Sequence, residues 1–122
     1  MPARPRATLT STVLGCPDPR ALGRFYAELL GWPIGTDEPG WVTLRPGGPG
    51  LSFQQEVDHV PPVWPGPGGQ QMQAHLDVEV DDLAAAVAFA EQLGATVAAF
   101  QPQDAVRVML DPAGHPFCLW AR

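Results

Sequence analysis

The stretch CPDPRALGRFYAELLG, residues 16–31, decides how the first half of the chain folds. Its apolar side chains recur every three or four positions, which predicts an amphipathic helix. Asp18 stands where an N-cap belongs, and Gly31 stands where a C-cap glycine belongs. The apolar positions expected to face the core are Leu22, Phe25, Tyr26, Leu29 and Leu30.

Extended segments surround this predicted helix. Residues 8–16 are rich in β-branched side chains and end at Pro-Asp-Pro, so they predict a strand followed by a turn. A short strand near residues 32–35 comes after the helix. Residues 41–45 and 51–55 are joined by the turn-forming sequence PGGPG, which favours a hairpin. The predicted order is strand, helix and three strands, a βαβββ unit.

The second half of the chain repeats this order. Its predicted elements are a strand at 73–80, a helix at 82–93, an extended stretch near 96–100, and a hairpin of 106–110 with 117–120. A shift of 64 residues carries Asp18 onto Asp82 and Phe53 onto Phe117. Two unrelated α+β patterns could coincide at one offset, but several independent features share this one, which favours an internal repeat.

The predicted organisation is one α+β domain over residues 1–122 with two βαβββ modules. Module 1 covers about residues 8–55 and module 2 about residues 73–122. The connector between them, residues 56–72, is saturated with Pro and Gly, which continue neither a helix nor a central strand. A chain of 122 residues is long enough to bury a core without disulfide or metal staples.

Composition excludes several classes of protein. Hydrophobic residues make up 45% of the chain and charged residues 16%, which is the balance of a globular fold. The net charge of −6 and the scattered arginines oppose nucleic-acid binding. There is no long apolar run and no apolar leader, so we expect a cytoplasmic protein without membrane contact. Cys16 and Cys118 are too few for a disulfide framework, and we expect both as thiols.

Period-two alternation predicts which side chains of the strands face a pocket. In the strand at 73–80, His75 and Asp77 lie on the face opposite the apolar residues, and the apolar face must pack under the helices. By the same rule Gln54, Cys118 and Trp120 lie opposite buried neighbours. The sequence therefore predicts a cavity that is polar at its centre.

Tryptophan is frequent for so short a chain. Each of Trp32, Trp41, Trp64 and Trp120 can serve simply as core packing. Trp64 differs because it lies in the connector, which has no periodic packing surface of its own. It should either fold over the pocket as a lid or fill an interface. We expect Trp41, Trp64 and Trp120 at the pocket.

Three motifs carry a resemblance to a known family: CPDPRALGRFYAELLGWPI (16–34), HLDVEVDDLAAAVAFAEQLGA (75–95) and VMLDPAGHPFCLW (108–120). In this order they resemble the vicinal oxygen chelate superfamily, which groups glyoxalase I, bleomycin-resistance proteins and extradiol dioxygenases. The chain is most similar to the short glyoxalase-like proteins of actinobacteria. The resemblance implies paired modules whose curved mixed sheet surrounds a cavity with the helices outside, and a homodimer.

The resemblance also implies four positions at which metal-dependent members of the superfamily hold an ion. In this chain those positions carry Ser11, Gln54, His75 and Cys118. Neutral Ser and Gln are weak ligands for a divalent ion, so we expect no cofactor and a metal-free pocket. If an ion does bind, His75 and Cys118 are its ligands, with Asp77, Glu56 or a substrate oxygen to complete the set.

Three functions remain open from the sequence. The first is a protein that binds and sequesters a small molecule, as bleomycin-resistance proteins do. The second is a metal-independent lyase, isomerase or cyclase with His75 as general base and Gln54 or Ser11 holding an oxyanion. The third, ranked last, is a metal-dependent glyoxalase or dioxygenase.

Three further side chains receive no chemical role from the sequence. Cys118 could act as a nucleophile only with His75 as its base, and a buried inert thiol is the better interpretation. His59 and His115 flank turns, where solvated loop positions explain them.

Overall fold

The computed structural model describes residues 3–122. Module 1 contains five elements: strand β1 (Ser11–Cys16), helix α1 (Pro19–Leu30), and strands β2 (Ile34–Glu38), β3 (Trp41–Leu44) and β4 (Gly50–Gln55). The strands form one mixed sheet in the order β1-β4-β3-β2. β1 and β4 pair in parallel, and the other pairs are antiparallel.

Module 2 repeats the arrangement with β5 (Leu76–Glu79), α2 (Leu83–Gln92), β6 (Thr96–Val97), β7 (Val106–Leu110) and β8 (Pro116–Trp120). Its sheet has the order β5-β8-β7-β6, with β5 and β8 parallel. The predicted α+β fold of two βαβββ modules is confirmed. The two sheets of the described chain stay separate and do not close into a barrel.

The helices begin where the sequence predicts, because an aspartate caps each of them. The carboxylate of Asp18 accepts a hydrogen bond from Ala21 N at 3.2 Å, and that of Asp82 accepts one from Ala85 N at 3.0 Å. At the end of α1, Gly31 has φ +70°, a left-handed conformation that favours glycine. Among the described residues, neither helix is long and apolar enough to cross a membrane.

Several predicted strand boundaries were wrong. β1 begins at Ser11 rather than at residue 8, and β6 is reduced to two residues. β5 covers only Leu76–Glu79, so His75 precedes the strand. Pairing with β8 defines the limits of β5, since β5 is held to the sheet only where its backbone faces that strand.

Strand pairing also corrects the repeat. Leu14 pairs with Phe53 and Leu76 pairs with Phe117, so Leu14 and Leu76 are equivalent and lie 62 residues apart. Module 2 therefore has two extra residues between its first strand and its helix. A two-residue shift preserves which face a side chain occupies, but Ser11 is no longer the equivalent of His75.

An aromatic cluster joins the two modules. Tyr26 of α1 stacks on Phe53 of its own module at 5.8 Å and meets Phe117 of module 2 edge-on at 5.9 Å. Tyr26 and both phenylalanines are fully buried. The Tyr26 hydroxyl donates to Asp111 Oδ2 at 2.7 Å, which adds a buried polar bond between the modules.

The connector is ordered by backbone contacts and by its packing on module 2. An isolated β-bridge joins Val63 to Gln71 and closes a loop that contains Trp64. His59 Nε2 lies 2.7 Å from the carbonyl oxygen of Ala113, in the turn before β8. Pro61 packs so closely on Gly114 of the same turn that a Cβ there would lie 2.7 Å from the Cβ of Pro61. The connector is thus docked on the β7–β8 turn.

Candidate functional site

A cleft on the solvent side of the module 2 sheet collects most of the predicted site residues. We call it the module 2 cleft; its volume is about 380 Å³. This size falls at the lower end of the range for small-molecule sites, which suits one small ligand. The lining residues are Trp64, His75, Asp77, Pro102, Gln103, Val106, Val108, Cys118 and Trp120.

His75, Asp77 and Cys118 form a polar group in the module 2 cleft. His75 Nε2 lies 3.0 Å from Asp77 Oδ1. The two side chains form an ion pair when the imidazole is protonated. The strand register pairs Asp77 with Cys118, and the donor atoms of all three side chains lie within 4.8 Å of one another.

The thiol of Cys118 is held in its protonated form. Burial raises its pKa, and the neighbouring charge of Asp77 and a hydrogen bond to that carboxylate raise it further. A thiolate is the reactive form of cysteine, so this environment suppresses nucleophilic chemistry. An inert thiol at Cys118 stays a prediction.

Trp64 covers one side of the polar group. Its indole stacks on the imidazole of His75, with ring centroids 5.1 Å apart and an angle of 18° between the planes. Phe100 meets the same indole edge-on at 5.4 Å. These two contacts fix the connector side chain against module 2 as a wall of the cleft. Trp120 supplies a second indole to the lining.

The remaining predicted residues lie elsewhere. Ser11 and Trp41 line a separate groove on module 1, together with residues 7–10. Ser11 Oγ is hydrogen-bonded to Ser52 Oγ at 2.6 Å. Gln54 is exposed, and its amide donates to Glu56 Oε1 at 2.8 Å. The lining of the module 2 cleft includes neither Ser11 nor Gln54.

The four positions implied for a metal ion therefore divide between the two modules. Within module 2, the imidazole, carboxylate and thiol of His75, Asp77 and Cys118 form a donor set that zinc accepts. An ion there would be held by these three groups and would act as a Lewis acid on a ligand oxygen. It would have to displace the proton of Cys118 and break the contact of His75 with Asp77.

Several lining residues of the cleft were not predicted from the sequence. Val106 and Val108 alternate along β7 beside Cys118 and Trp120 of β8, so period-two spacing within the predicted hairpin was the available signal. Pro102 and Gln103 come from the segment between β6 and β7. No periodic signal marks a loop, so only the tertiary structure could place them.

The chain contains two βαβββ modules, each with one mixed sheet and one helix, and a shared aromatic core joins them. This is the paired-module fold of the glyoxalase and bleomycin-resistance superfamily. A family model described as "Glyoxalase-like domain" matches residues 11–120. The chain belongs to this family. No curated protein matches the chain in sequence.

Solved structures share the fold at low sequence identity. A glyoxalase/bleomycin resistance protein/dioxygenase family enzyme from Burkholderia phytofirmans PsJN is 20% identical, with a TM-score of 0.71 over 94% of this chain and 98% of that one. A glyoxalase-related enzyme from Fulvimarina pelagi is also 20% identical, with a TM-score of 0.68 over 93% and 86%. The bleomycin-binding protein of Streptomyces verticillus, complexed with copper(II)-bleomycin, is 17% identical, with a TM-score of 0.57 over 98% and 99%.

Proposed function

We propose that this protein binds a small planar organic molecule non-covalently, and without a metal ion, in the module 2 cleft. The observation that carries the proposal is the aromatic wall, in which Trp64 is held between His75 and Phe100 and a second indole, Trp120, joins the lining. Aromatic faces bind planar ligands by stacking, and a few polar groups fix the orientation. Asp77 and His75 provide those polar groups.

The similarity to a bleomycin-binding protein supports a binding function on this fold. It does not carry the ligand over, because function depends on the site rather than on the fold. The metal-free state is supported by the chemistry of the donors: the pKa of Cys118 is raised by burial and by Asp77, and Asp77 already contacts His75.

The test is a titration with quinoline, isoquinoline and 4-aminoquinoline, followed by tryptophan fluorescence and by native mass spectrometry. At least one of these probes should quench the fluorescence with one-to-one stoichiometry. Trp64→Ala should weaken that binding by roughly threefold to tenfold, the value of one aromatic contact. Trp41→Ala removes an indole from the module 1 groove and is the matched control. Equal loss in both variants, or quenching by none of the three probes, contradicts the proposal.

A metal-independent enzyme is the second candidate, and the contact between His75 and Asp77 favours it. Asp77 would orient the ring, and the imidazole of His75 would take the proton of a substrate. Substitution separates the two functions. His75→Ala should lower ligand affinity modestly in a binding protein, but it should reduce turnover by orders of magnitude in an enzyme. Metal analysis of the purified protein separates both from a zinc centre at His75, Asp77 and Cys118.

We also propose that the chain forms a homodimer. Large apolar side chains are exposed on module 1 and the connector: Leu9 is 70% exposed, Val13 47% and Val57 81%. Contact with a second copy would bury such surface.

A further inference from the structure

A second cavity lies where the two modules and the connector meet. We call it the junction cavity; its volume is about 440 Å³. It has no lining residue in common with the module 2 cleft. The side chains and backbone that form it come from β1, from both ends of the connector and from the turn before β8: Val13, Leu14, Gly15, Glu56, Asp58, His59, Val60, Pro62, Gln70, Gln71, Gln73, Ala74 and His115.

Two histidines in this lining are held in a defined tautomer. His59 Nε2 is 2.7 Å from the carbonyl oxygen of Ala113, and His115 Nε2 is 2.6 Å from that of Gly15. A carbonyl oxygen only accepts, so Nε2 of each ring carries a hydrogen and Nδ1 of the neutral ring is a hydrogen-bond acceptor. The two rings lie 5.1 Å apart. Neither histidine was assigned a role from the sequence, because the connector brings them together only in the fold.

Two carboxylates add to these acceptors. Glu56 and Asp58 line the same cavity, and the side chain of Glu56 passes over Gly15 so closely that a Cβ on that glycine would lie 2.9 Å from Glu56 Cγ. Glu56 Oε1 accepts from the amide of Gln54, which fixes the position of the carboxylate. Within the described chain this lining contains no arginine, so no guanidinium neutralises these acids.

The cavity also has an apolar part. Val13, Val60 and Pro62 belong to the lining, and both valines are substantially exposed, at 47% and 59%. A ligand that contacts them would remove apolar surface from water. The cavity thus combines an excess of hydrogen-bond acceptors and negative charge with a hydrophobic wall.

We propose that the junction cavity is a second binding site, specific for a small organic cation: a protonated amine on a short apolar body. The ammonium group donates to the carboxylates of Glu56 and Asp58 and to the imidazole acceptors, and the body packs on Val13, Val60 and Pro62. Charge-assisted hydrogen bonds make the ammonium group the chief source of affinity. This site is independent of the function proposed for the module 2 cleft.

The experiment uses the full chain labelled with ¹⁵N and titrated with benzylamine, with benzyl alcohol as the neutral probe of the same shape. Benzylamine should shift amide resonances of residues 13–15, 56–60 and 70–74, with a dissociation constant in the millimolar range. Benzyl alcohol should bind at least about tenfold more weakly, because it lacks the charge. Equal binding of the two probes, or shifts distributed over other parts of the chain, overturns the proposal.

Substitutions test the two carboxylates on which the proposed cation site depends. The double substitution Glu56→Gln with Asp58→Asn should weaken benzylamine binding about tenfold or more, since two charged partners are lost. The control is Glu28→Gln with Glu91→Gln, which removes the same charge from exposed helix positions and should leave binding unchanged. Equal weakening in both double variants would show a general effect of net charge and overturn the site. Amide spectra of the variants without ligand verify that each is folded.

Trp64→Ala separates this site from the module 2 cleft. That variant should lose affinity for planar probes in the cleft and still bind benzylamine in the junction cavity. If Trp64→Ala abolishes both, the two cavities are not distinct sites and the inference fails. If benzylamine binds while no planar probe does, the inference stands and the function proposed for the cleft fails.

Discussion

Tyr26 and Asp111 illustrate what a single pair of residues contributes to this fold. Both are buried, and Asp111 Oδ2 accepts the hydroxyl hydrogen of Tyr26 at 2.7 Å. Asp111 Oδ1 accepts from the backbone N–H groups of Ala113 and His115, which shapes the turn before β8. Burial raises the pKa of Asp111 above its ordinary value of 3.8, although these hydrogen bonds and the charge of His115 act in the opposite direction.

This raised pKa predicts a pH dependence of stability. The folded protein keeps the proton of Asp111 to a higher pH than the unfolded chain does. The resulting stabilisation is full below the unfolded pKa and is lost as the pH rises through the folded pKa. Asp111→Asn stays neutral and still offers an oxygen to Ala113 and His115, so it should not show this loss.

Urea unfolding of wild type and Asp111→Asn, from about pH 4 to about pH 7, measures the effect. Relative to the variant, the free energy of unfolding of the wild type should fall with rising pH. Comparison of the two proteins removes the contribution of all other titrating groups. A difference that is constant with pH would show that Asp111 is ionised equally easily in both states.

Among the elements, the helices follow the local sequence and the connector does not. Asp18, Asp82 and Gly31 fix the ends of the helices through hydrogen bonds within a few residues, and such signals can be found in sequence. The connector contains no periodic pattern, yet it is docked on the turn before β8 through His59 and Pro61. Its position depends on contacts with residues more than 50 positions away.

Substitution of Gly114 tests the docking of the connector. Gly114 has φ +87°, and a Cβ at this position would clash with Pro61. Gly114→Ala should therefore lower the free energy of unfolding by roughly 1–3 kcal/mol and loosen the connector. Limited proteolysis should cut the connector faster in this variant. Gly48→Ala is the control, because a Cβ there meets nothing within 4 Å. Equal resistance of Gly114→Ala and wild type to proteolysis would contradict the docked arrangement.

At the scale of the whole molecule, each sheet has one face covered by the core and one face open. The module 1 groove and the module 2 cleft both lie on open faces and do not meet within one chain, which is why Ser11 and His75 are apart. The exposed Leu9 and Val13 belong to the lining of the module 1 groove. An apolar lining of this kind is a candidate surface for a second copy.

Light scattering coupled to size-exclusion chromatography measures the proposed homodimer directly. We expect a species of twice the chain mass that persists on dilution. Val13→Asp places a charge on the exposed face and should shift the population to monomer, whereas Val97→Asp in β6 tests whether any exposed valine has the same effect. A single-chain mass at all concentrations would contradict the dimer.

The sequence by itself determined the class of fold, the two modules, the helix caps and the faces of the strands. Those features depend on local hydrogen bonds and on the periodicity of apolar residues, and both are written in consecutive positions. It also brought His75, Asp77 and Cys118 to attention, since alternation and the repeat put them on one face.

Only the tertiary structure decided how these parts combine. The 64-residue repeat made Ser11 the counterpart of His75, but strand pairing showed two extra residues between β5 and α2. The tertiary structure also stacks Trp64 on His75 and places His59 beside His115. These juxtapositions depend on where a loop without a periodic pattern finds its packing partners. The energy of that packing comes from residues distant in the chain, so no local pattern records it.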